Sequence, residues 1–491
     1  MWVNNILSTS EATQDLLGTI LVLNPVLRLR PDRKRALLFH ADPVECARSP
    51  FTRFLHPRQA LFLSLFNGRL TLKEVISVWS DITKKGMQAA VEEVIHFLEE
   101  QRSLGEEILI PPGGTSVAPR AYDPEDFFPE GDEIDLASTR CYIPTTFTHE
   151  VCYQCAVQCV YCYSDLPNRK GNLLATQRLK EIISEAAALG IPRIGMSGGD
   201  PFCHPDIFRI LEIYGDYGIG VDVPTKTPLG ERAIARLIEF PHVRIQFSID
   251  GVNPEINDRL VGIQGHTDRM IKTLQTARNS GLVFSVNTVL TPLNYRQGAE
   301  MVPFLMDHFG DHVRRISLSP YGRSIYRHRD ELFLQPTALA WLEDMMSSFR
   351  KRYPGRNISM GGAPAAMDPD PEKRRSRYRE RALCTGNRSA FVLLPDGMVT
   401  ACEELYYHTA FIMGDLRTQS IMEMWEGEQA LFLARPDQAS VSDGACAVCP
   451  EFDECHTLRG RCFKRTLQAY GTDRPHWPDP SCPYAPPGSF C

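Results

Sequence analysis

The chain has 491 residues, 43% hydrophobic and 23% charged, with a net charge of −7. That composition fits a globular protein of roughly two to four domains and excludes a fibrous or disordered one. No acidic or basic tail dominates, so nucleic acid is not an expected partner.

Residues 1–11 lack the basic and apolar regions of a signal peptide. The longest apolar stretch, 16–27, is interrupted by Gly18, Asn24 and Pro25. It is too short to span a bilayer, which takes about 20 residues. The expectation is a cytoplasmic protein with no membrane contact.

Residues 1–110 read as one small unit. Apolar runs at 26–30 and 35–39 flank Pro31-Asp32-Arg33-Lys34, a hairpin signal. Three helical patterns follow. The first covers 57–66 and is stopped by Asn67-Gly68. The second opens with Thr71-Leu72-Lys73-Glu74, a capping box, and would bury Leu72, Val75, Ile76 and Trp79. The third would bury Val91, Val94, Ile95 and Leu98. A hairpin with three short helices suggests a winged-helix-like module. Residues 111–140 read as a linker whose second half, with Asp123, Glu125, Asp126, Glu130, Asp132, Glu133 and Asp135, is acidic.

From 141 to 345, strand and helix patterns alternate. Strand-like runs lie at 142–149, 193–197, 221–223, 243–249, 283–290 and 315–319, with helical patterns such as 179–189 and 232–239 between them. Alternation predicts parallel strands with crossover helices, and ligands at the carboxyl ends of the strands. The fold class is therefore α/β.

Four of the fifteen cysteines crowd into 152–162 and seven lie in 384–482. In a reducing compartment such clustering reads as metal ligation. Cys155, Cys159 and Cys162 share a tight loop just after the first strand. Three thiolates can hold one cuboidal iron–sulfur cluster and leave its fourth iron open. A zinc site wants four ligands, and Cys152 is available as the fourth, so spacing alone leaves zinc open.

Cys-x3-Cys-x2-Cys, with aromatic Tyr161 before the last cysteine, resembles the signature of radical S-adenosylmethionine (SAM) enzymes. The resemblance implies a partial (β/α)6 TIM-like barrel in which SAM chelates the open iron and is cleaved to a 5′-deoxyadenosyl radical. Ser197, Gly198, Gly199 and Asp200 end the second strand. They resemble the family's Gly-Gly-Glu-Pro segment, with Asp for the commoner Glu. Ser248 and Asp250 end the fourth strand, where the family contacts ribose and the methionine carboxylate. Asn287 on the fifth strand and Arg323 after the sixth stand at family-like positions.

Residues 346–383 form a bridge made basic by Lys373, Arg374, Arg375, Arg377, Arg379 and Arg381. It reads as a solvated face, with contact to an acidic substrate as the alternative. Residues 384–491, rich in Cys, Pro and Gly, must be held by something other than a large core. Cys384, Cys402, Cys446, Cys449, Cys455, Cys462 and Cys482 resemble the ligand set of the SPASM iron–sulfur cluster domain. By that pattern Cys446, Cys449, Cys455 and Cys482 hold one cluster, while Cys384, Cys402 and Cys462 hold another. The latter lacks a fourth cysteine. The position is open, or filled by Cys491, Cys141 or a carboxylate. With the radical site this makes three [4Fe-4S] clusters. A zinc ribbon over 446–462 is the structural alternative. Some relatives use a carboxylate after Cys402 as a general base, which makes Glu403 and Glu404 candidate catalytic residues; a plain surface pair is the other reading. Cys46 and Cys203 read as small buried apolar residues.

Beside this core, residues 1–110 resemble the peptide-binding module of pyrroloquinoline quinone biosynthesis, which binds a leader peptide as an added strand. The resemblances together imply a maturase of a ribosomally made precursor peptide, served by a flavodoxin- or ferredoxin-type electron donor. Backbone excision or single-residue oxidation, as in sulfatase maturation, is the alternative activity. A zinc-stabilised peptide-binding scaffold is the alternative without catalysis.

Overall fold

The structure, a computed structural model, describes residues 17–41, 52–102, 107–113, 118–128, 133–327, 329–361, 370–381, 383–441 and 443–486. It divides into two compact units, Met1–Ser138 and Thr139–Cys491.

The first unit contains β1 (Ile20–Leu23), β2 (Leu27–Pro31), β3 (Ala36–His40), β4 (Thr52–Leu55), α1 (Pro57–Ser64), β5 (Asn67–Thr71), α2 (Leu72–Thr83), α3 (Met87–Arg102) and β6 (Leu109–Ile110). The expected hairpin is β2–β3, in register from Leu27↔His40 to Pro31↔Ala36, and β4 extends it to three strands. Asn67 and Gly68 do more than stop a helix. They begin β5, which pairs with β1 in a second sheet of order β5-β1-β6. Asn-Gly-Arg-Leu-Thr has no strand alternation of its own, so only the partner strand makes it one.

Thr71 caps α2 reciprocally with Glu74, and the helix buries Leu72, Val75, Ile76 and Trp79, as the periodicity predicts. On α3, Val94 and Phe97 are buried, while Val91 and Ile95 are half-buried. The side chain of Leu98 lies outside the described residues, as does Cys46. Phe62 meets Phe66, Trp79 and Phe97 edge-on at 5.0–5.1 Å between centroids. Part of the segment expected as a linker packs on this unit. Phe127 is buried, and the Leu29 N–H donates to the Tyr122 hydroxyl at 3.2 Å. Arg35, fully buried against Asp32 at 3.0 Å, also donates to the carbonyls of Asp135 and Ser138.

The second unit is built on one ten-stranded sheet. Its strands are β7 (Thr146–Glu150), β8 (Arg193–Ser197), β9 (Gly220–Thr225), β10 (Val243–Ser248), β11 (Phe284–Leu290), β12 (Val313–Pro320), β13 (Asn357–Met360), β14 (Ala390–Leu393), β15 (Met398–Thr400) and β16 (Ile412–Asp415), in the order β13-β12-β11-β10-β9-β8-β7-β14-β15-β16. Strands β7 to β12 are six consecutive parallel neighbours, the sheet of a partial (β/α)6 barrel. Between them run α4 (Thr176–Ala188), α5 (Ile207–Asp216), α6 (Glu231–Ile238), α7 (Pro254–Val261), α8 (His266–Asn279) and α9 (Tyr295–Phe309). Then come α10 (Pro336–Arg352), α11 (Pro371–Glu380), α12 (Ile421–Trp425), α13 (Glu428–Ala434) and α14 (Phe463–Tyr470).

The first barrel strand starts later than its apolar run suggests. Cys141 and Thr145 donate instead to the carbonyls of Arg388 and Ser389. The cysteine-rich region is also better anchored than its composition implies. Strand β14 joins β7 in parallel register from Ala390↔Thr146, and Phe391 stacks on Phe147 at 5.0 Å. Phe411 and Trp425 are fully buried in the same core.

Candidate functional site

The carboxyl ends of β7 to β12 converge on one mouth. After Glu150 the chain turns into the loop of Cys155, Cys159 and Cys162. Two backbone bonds fix that loop to the end of α7: Gln158 N–H to Val261 O and Val160 N–H to Leu260 O, both 2.9 Å. Val157, Cys159 and Tyr161 pack with Leu260, Val261, Tyr321 and Leu332 in a small apolar cluster. Burial pushes the Cys155 thiol up to about 12 and Cys159 up to about 11, and the neighbouring Cys162 thiol adds to both. A bound metal would offset that cost and hold them as thiolates.

Gly198 and Gly199 sit against this loop. A Cβ on Gly199 would lie 1.8 Å from the Gln154 carbonyl oxygen, and one on Gly198 would lie 2.7 Å from that of Cys152. Gly198 also has φ +115°, a left-handed conformation. The sequence suggests that the bare backbone of these glycines admits a ligand; in the structure the space that a side chain would take is filled by the cysteine loop. Gly199 N–H donates to Cys152 O at 2.8 Å and Asp200 N–H to Gln154 O at 2.7 Å. Cys152 is fully buried, with its Sγ 3.4 Å from Gln154 O and 3.3 Å from Asp200 O. It braces the loop. Cys203, half-buried, lies 3.9 Å from the Thr227 hydroxyl.

The acidic residues at the strand ends face inward. Asp200, 2% exposed, accepts from Thr225 Oγ1 and from the N–H groups of Phe202, Lys226 and Thr227. Asp250, completely buried, accepts from the Tyr161 hydroxyl, the Val289 N–H at 2.9 Å and Lys226 Nζ at 3.1 Å. Both carboxylates therefore shape the mouth. Lys226 was not singled out by any motif, although a lysine just past a strand end was a legible signal. Burial opposes its charge, but Asp250 and the thiols of Cys159 and Cys155 outweigh it and raise its pKa. Asn287 and Ser248 are half-buried partners on adjacent strands, and Asn287 accepts from Ser319 Oγ at 2.8 Å. Arg323 is half-buried with its carbonyl held by Gln468.

Glu403 and Glu404 separate. Glu404, 6% exposed, accepts from Ile325 N–H at 3.0 Å and pairs with Lys464. Glu403 reaches the mouth, where its carboxylate accepts from the Tyr163 hydroxyl at 2.6 Å and from Ser197 Oγ at 3.2 Å. Behind it lies a buried pair that no motif announces, Glu150 and Arg169 at 2.5 Å. Burial, opposed by Arg169 and reinforced by Glu403, pushes Glu150 up to about 7.

The other cysteines fall into two groups. Cys402 is raised to about 12 by burial, with Cys384, Glu403 and Cys462 as its charged neighbours. Cys482 is likewise raised to about 12, with Cys455, Cys446 and Cys449 as neighbours. The electrostatic neighbours thus group as the SPASM resemblance implies. Carboxylates near the first are Glu403, and Asp479 beside Cys462. Asp479 already accepts from Cys462 N–H at 3.0 Å. Cys141 is fully buried with its carbonyl on Trp425 Nε1, and Cys491 lies outside the described residues. Among the described residues, no three His, Cys, Asp or Glu side chains converge on one point as ligands of a single ion. A cuboidal cluster is gripped at its corners, so its thiolates need not meet at a point. Among the same residues no helix is long and apolar enough to cross a membrane.

Comparison with known proteins identifies two domains in the second unit. Residues 150–305 match the radical SAM superfamily, and 384–451 match the SPASM iron–sulfur cluster-binding domain. Mycofactocin maturase MftC of Mycolicibacterium smegmatis is 28% identical over 349 residues, 69% of this chain and 82% of that protein. PqqA peptide cyclase of Bradyrhizobium diazoefficiens is 25% identical over 354 residues, 70% and 87%. The crystal structure of Streptococcus suis SuiB bound to precursor peptide SuiA superposes with TM-score 0.63 at 15% identity, covering 94% of this chain and 98% of that one. The first domain implies SAM and a [4Fe-4S] cluster, and the second implies additional iron–sulfur clusters.

Proposed function

We propose that this chain, a SAM-dependent enzyme with radical SAM and SPASM domains, matures a ribosomally made precursor peptide. Residues 1–110 bind the leader, and the barrel mouth oxidises or crosslinks a residue of the core. The observation that carries this reading is the place of Glu403. One side chain joins Ser197, at the end of β8, and Tyr163, next to Cys162, to the cysteine group of Cys402. The names of the relatives, a peptide maturase and a peptide cyclase, support a peptide as substrate.

Cys155, Cys159 and Cys162 would hold the radical-site cluster, on which bound SAM supplies a 5′-deoxyadenosyl radical. Gly198, Gly199, Ser248, Asn287 and Arg323 line the mouth for that cofactor, and Tyr161, Asp200 and Asp250 hold the mouth in shape. Glu403 accepts the proton that the substrate loses on oxidation, steadied by the Tyr163 and Ser197 hydroxyls. Glu404 is a clamp rather than a base. Cys446, Cys449, Cys455 and Cys482 would hold one auxiliary cluster, and Cys384, Cys402 and Cys462 a second with a non-cysteine fourth position. The total is three clusters, or roughly 12 irons per chain. Thiolate-held clusters suit a reducing compartment, so the protein works in the cytoplasm, with a flavodoxin- or ferredoxin-type carrier supplying electrons.

The test is co-expression of the full chain with the short reading frames beside its gene, followed by mass analysis of each peptide. The expected product is lighter by two hydrogens. Loss of backbone atoms would indicate excision instead. Cys155→Ala should abolish both the mass change and 5′-deoxyadenosine formation. Retained cleavage of SAM in that variant would refute the site.

A further inference from the structure

The chemistry above leaves α11 without a task. Its sequence is strongly basic, yet one face of it is engaged. Arg375 and Arg379 both pair with Glu451, which lies between Cys449 and Cys455. Tyr378, 7% exposed, points its hydroxyl at Cys455 Sγ, 3.2 Å away, with the Gly460 carbonyl at 3.4 Å.

A phenol has one proton to donate, so the two acceptors compete. Arg381 decides the competition. Its guanidinium already donates to Gly460 O and lies over the Tyr378 ring at 4.2 Å. The carbonyl is thus supplied, and a thiolate at Cys455 can only accept. Two more buried guanidiniums, Arg388 and Arg461, stand within electrostatic reach of Cys455. Hydrogen bonds to the sulfurs and local charge are among the levers that set an iron–sulfur potential. A donor on a ligand sulfur favours the reduced cluster, which carries one more negative charge.

We propose that Tyr378 is a positioning residue that donates to the Cys455 sulfur and raises the reduction potential of the cluster held by Cys446, Cys449, Cys455 and Cys482. The inference rests on the reading that those four cysteines hold a cluster. The arginines of α11 then act as a clasp that keeps this donor in place.

The test uses the full chain reconstituted with iron and sulfide, titrated potentiometrically and followed by electron paramagnetic resonance. With iron content equal to the parent, Tyr378→Phe should move one auxiliary midpoint to lower potential. The signal that responds to added SAM should stay where it is. Arg381→Met frees Gly460 O to share the phenol proton, so the same midpoint should move the same way by less. If Tyr378→Phe loses iron, 3-fluorotyrosine at position 378 decides, because it strengthens the phenol donor without changing the charge: the same midpoint should rise, and an unmoved one overturns the proposal. Auxiliary midpoints unmoved in an iron-replete variant overturn the proposal. A parent chain that binds zinc, or iron for a single cluster only, instead sinks the cluster reading itself.

Discussion

The Cys155–Cys162 loop and the Cys446–Cys482 segment are both read as cluster ligands, but the protein supports them differently. The first is framed by strand ends, two backbone bonds to α7, the inward-facing Asp200 and Asp250, and an apolar cluster. The second has a polar interior. Between 443 and 486 the buried apolar side chains described are Phe452, Leu467, Ala469 and Pro478, alongside buried His456, Arg461, Thr466 and Asp479. Val448, between two of its cysteines, is 84% exposed. One site is framed by the fold, whereas the other has few apolar side chains to hold it and would draw its order from a bound cluster.

Removing iron should break this parity most visibly. In metal-free protein, amides in 443–486 should exchange at least about tenfold faster, the change that a loss of about 1.4 kcal/mol produces. Amides of β7 to β12 should keep their protection. Equal loss in both regions, measured by hydrogen–deuterium exchange, would erase the distinction.

Lys226→Met probes the framed site directly. It leaves the Asp250 carboxylate buried beside Tyr161 without its cation. Breaking a buried pair this way costs about 3 kcal/mol or more. Urea unfolding of the metal-free chain should register it. An effect within error would mean that the mouth is not built around that pair.

Gly199→Ala should act more locally. Its new methyl meets the Gln154 carbonyl, so the cysteine loop must shift. The expected result is loss of about one cluster's worth of iron, roughly four atoms, from the radical site. Auxiliary iron should be unchanged by quantitative metal analysis.

The effect that shows only in acid comes last. His149 on β7 is held down at about 3, first by burial and then by His204, against an ordinary 6.5. It is therefore neutral in the fold, where it bonds the Tyr214 hydroxyl at 3.1 Å. A depressed pKa contributes stability that is full above pH 6.5 and fades as pH falls toward 3. His149→Gln should flatten this acid loss in barrel unfolding. An unchanged pH profile would remove the group from the account.

The barrel strands and the cysteine sets were legible because period-2 runs and tight cysteine spacing are local signals. Residues 193–197 emerge as a strand with the bounds the apolar run suggested. What stayed hidden depends on partners far along the chain. β5 is a strand only because β1 lies beside it, and Glu403 is special only because Tyr163 and Ser197 meet it. Lys226 and Glu150 sit next to readable strands, but nothing local says that Asp250 and Arg169 await them. The arginines of 346–383 read as a solvated face because their partner, Glu451, lies in a segment with no periodicity.

The pairing of β14 with β7 also sets an order of events during synthesis. Strand β7 emerges early, yet its second neighbour is made only after the rest of the barrel. Until then one flank of the nascent sheet presents unpaired backbone, the arrangement most prone to joining another chain. Closing so distant a pair is also slow. The strand that launches the cysteine loop is thus among the last to be secured. Yield in the cell will hinge on how fast the ribosome delivers residues 390–393 and on what shields the flank meanwhile.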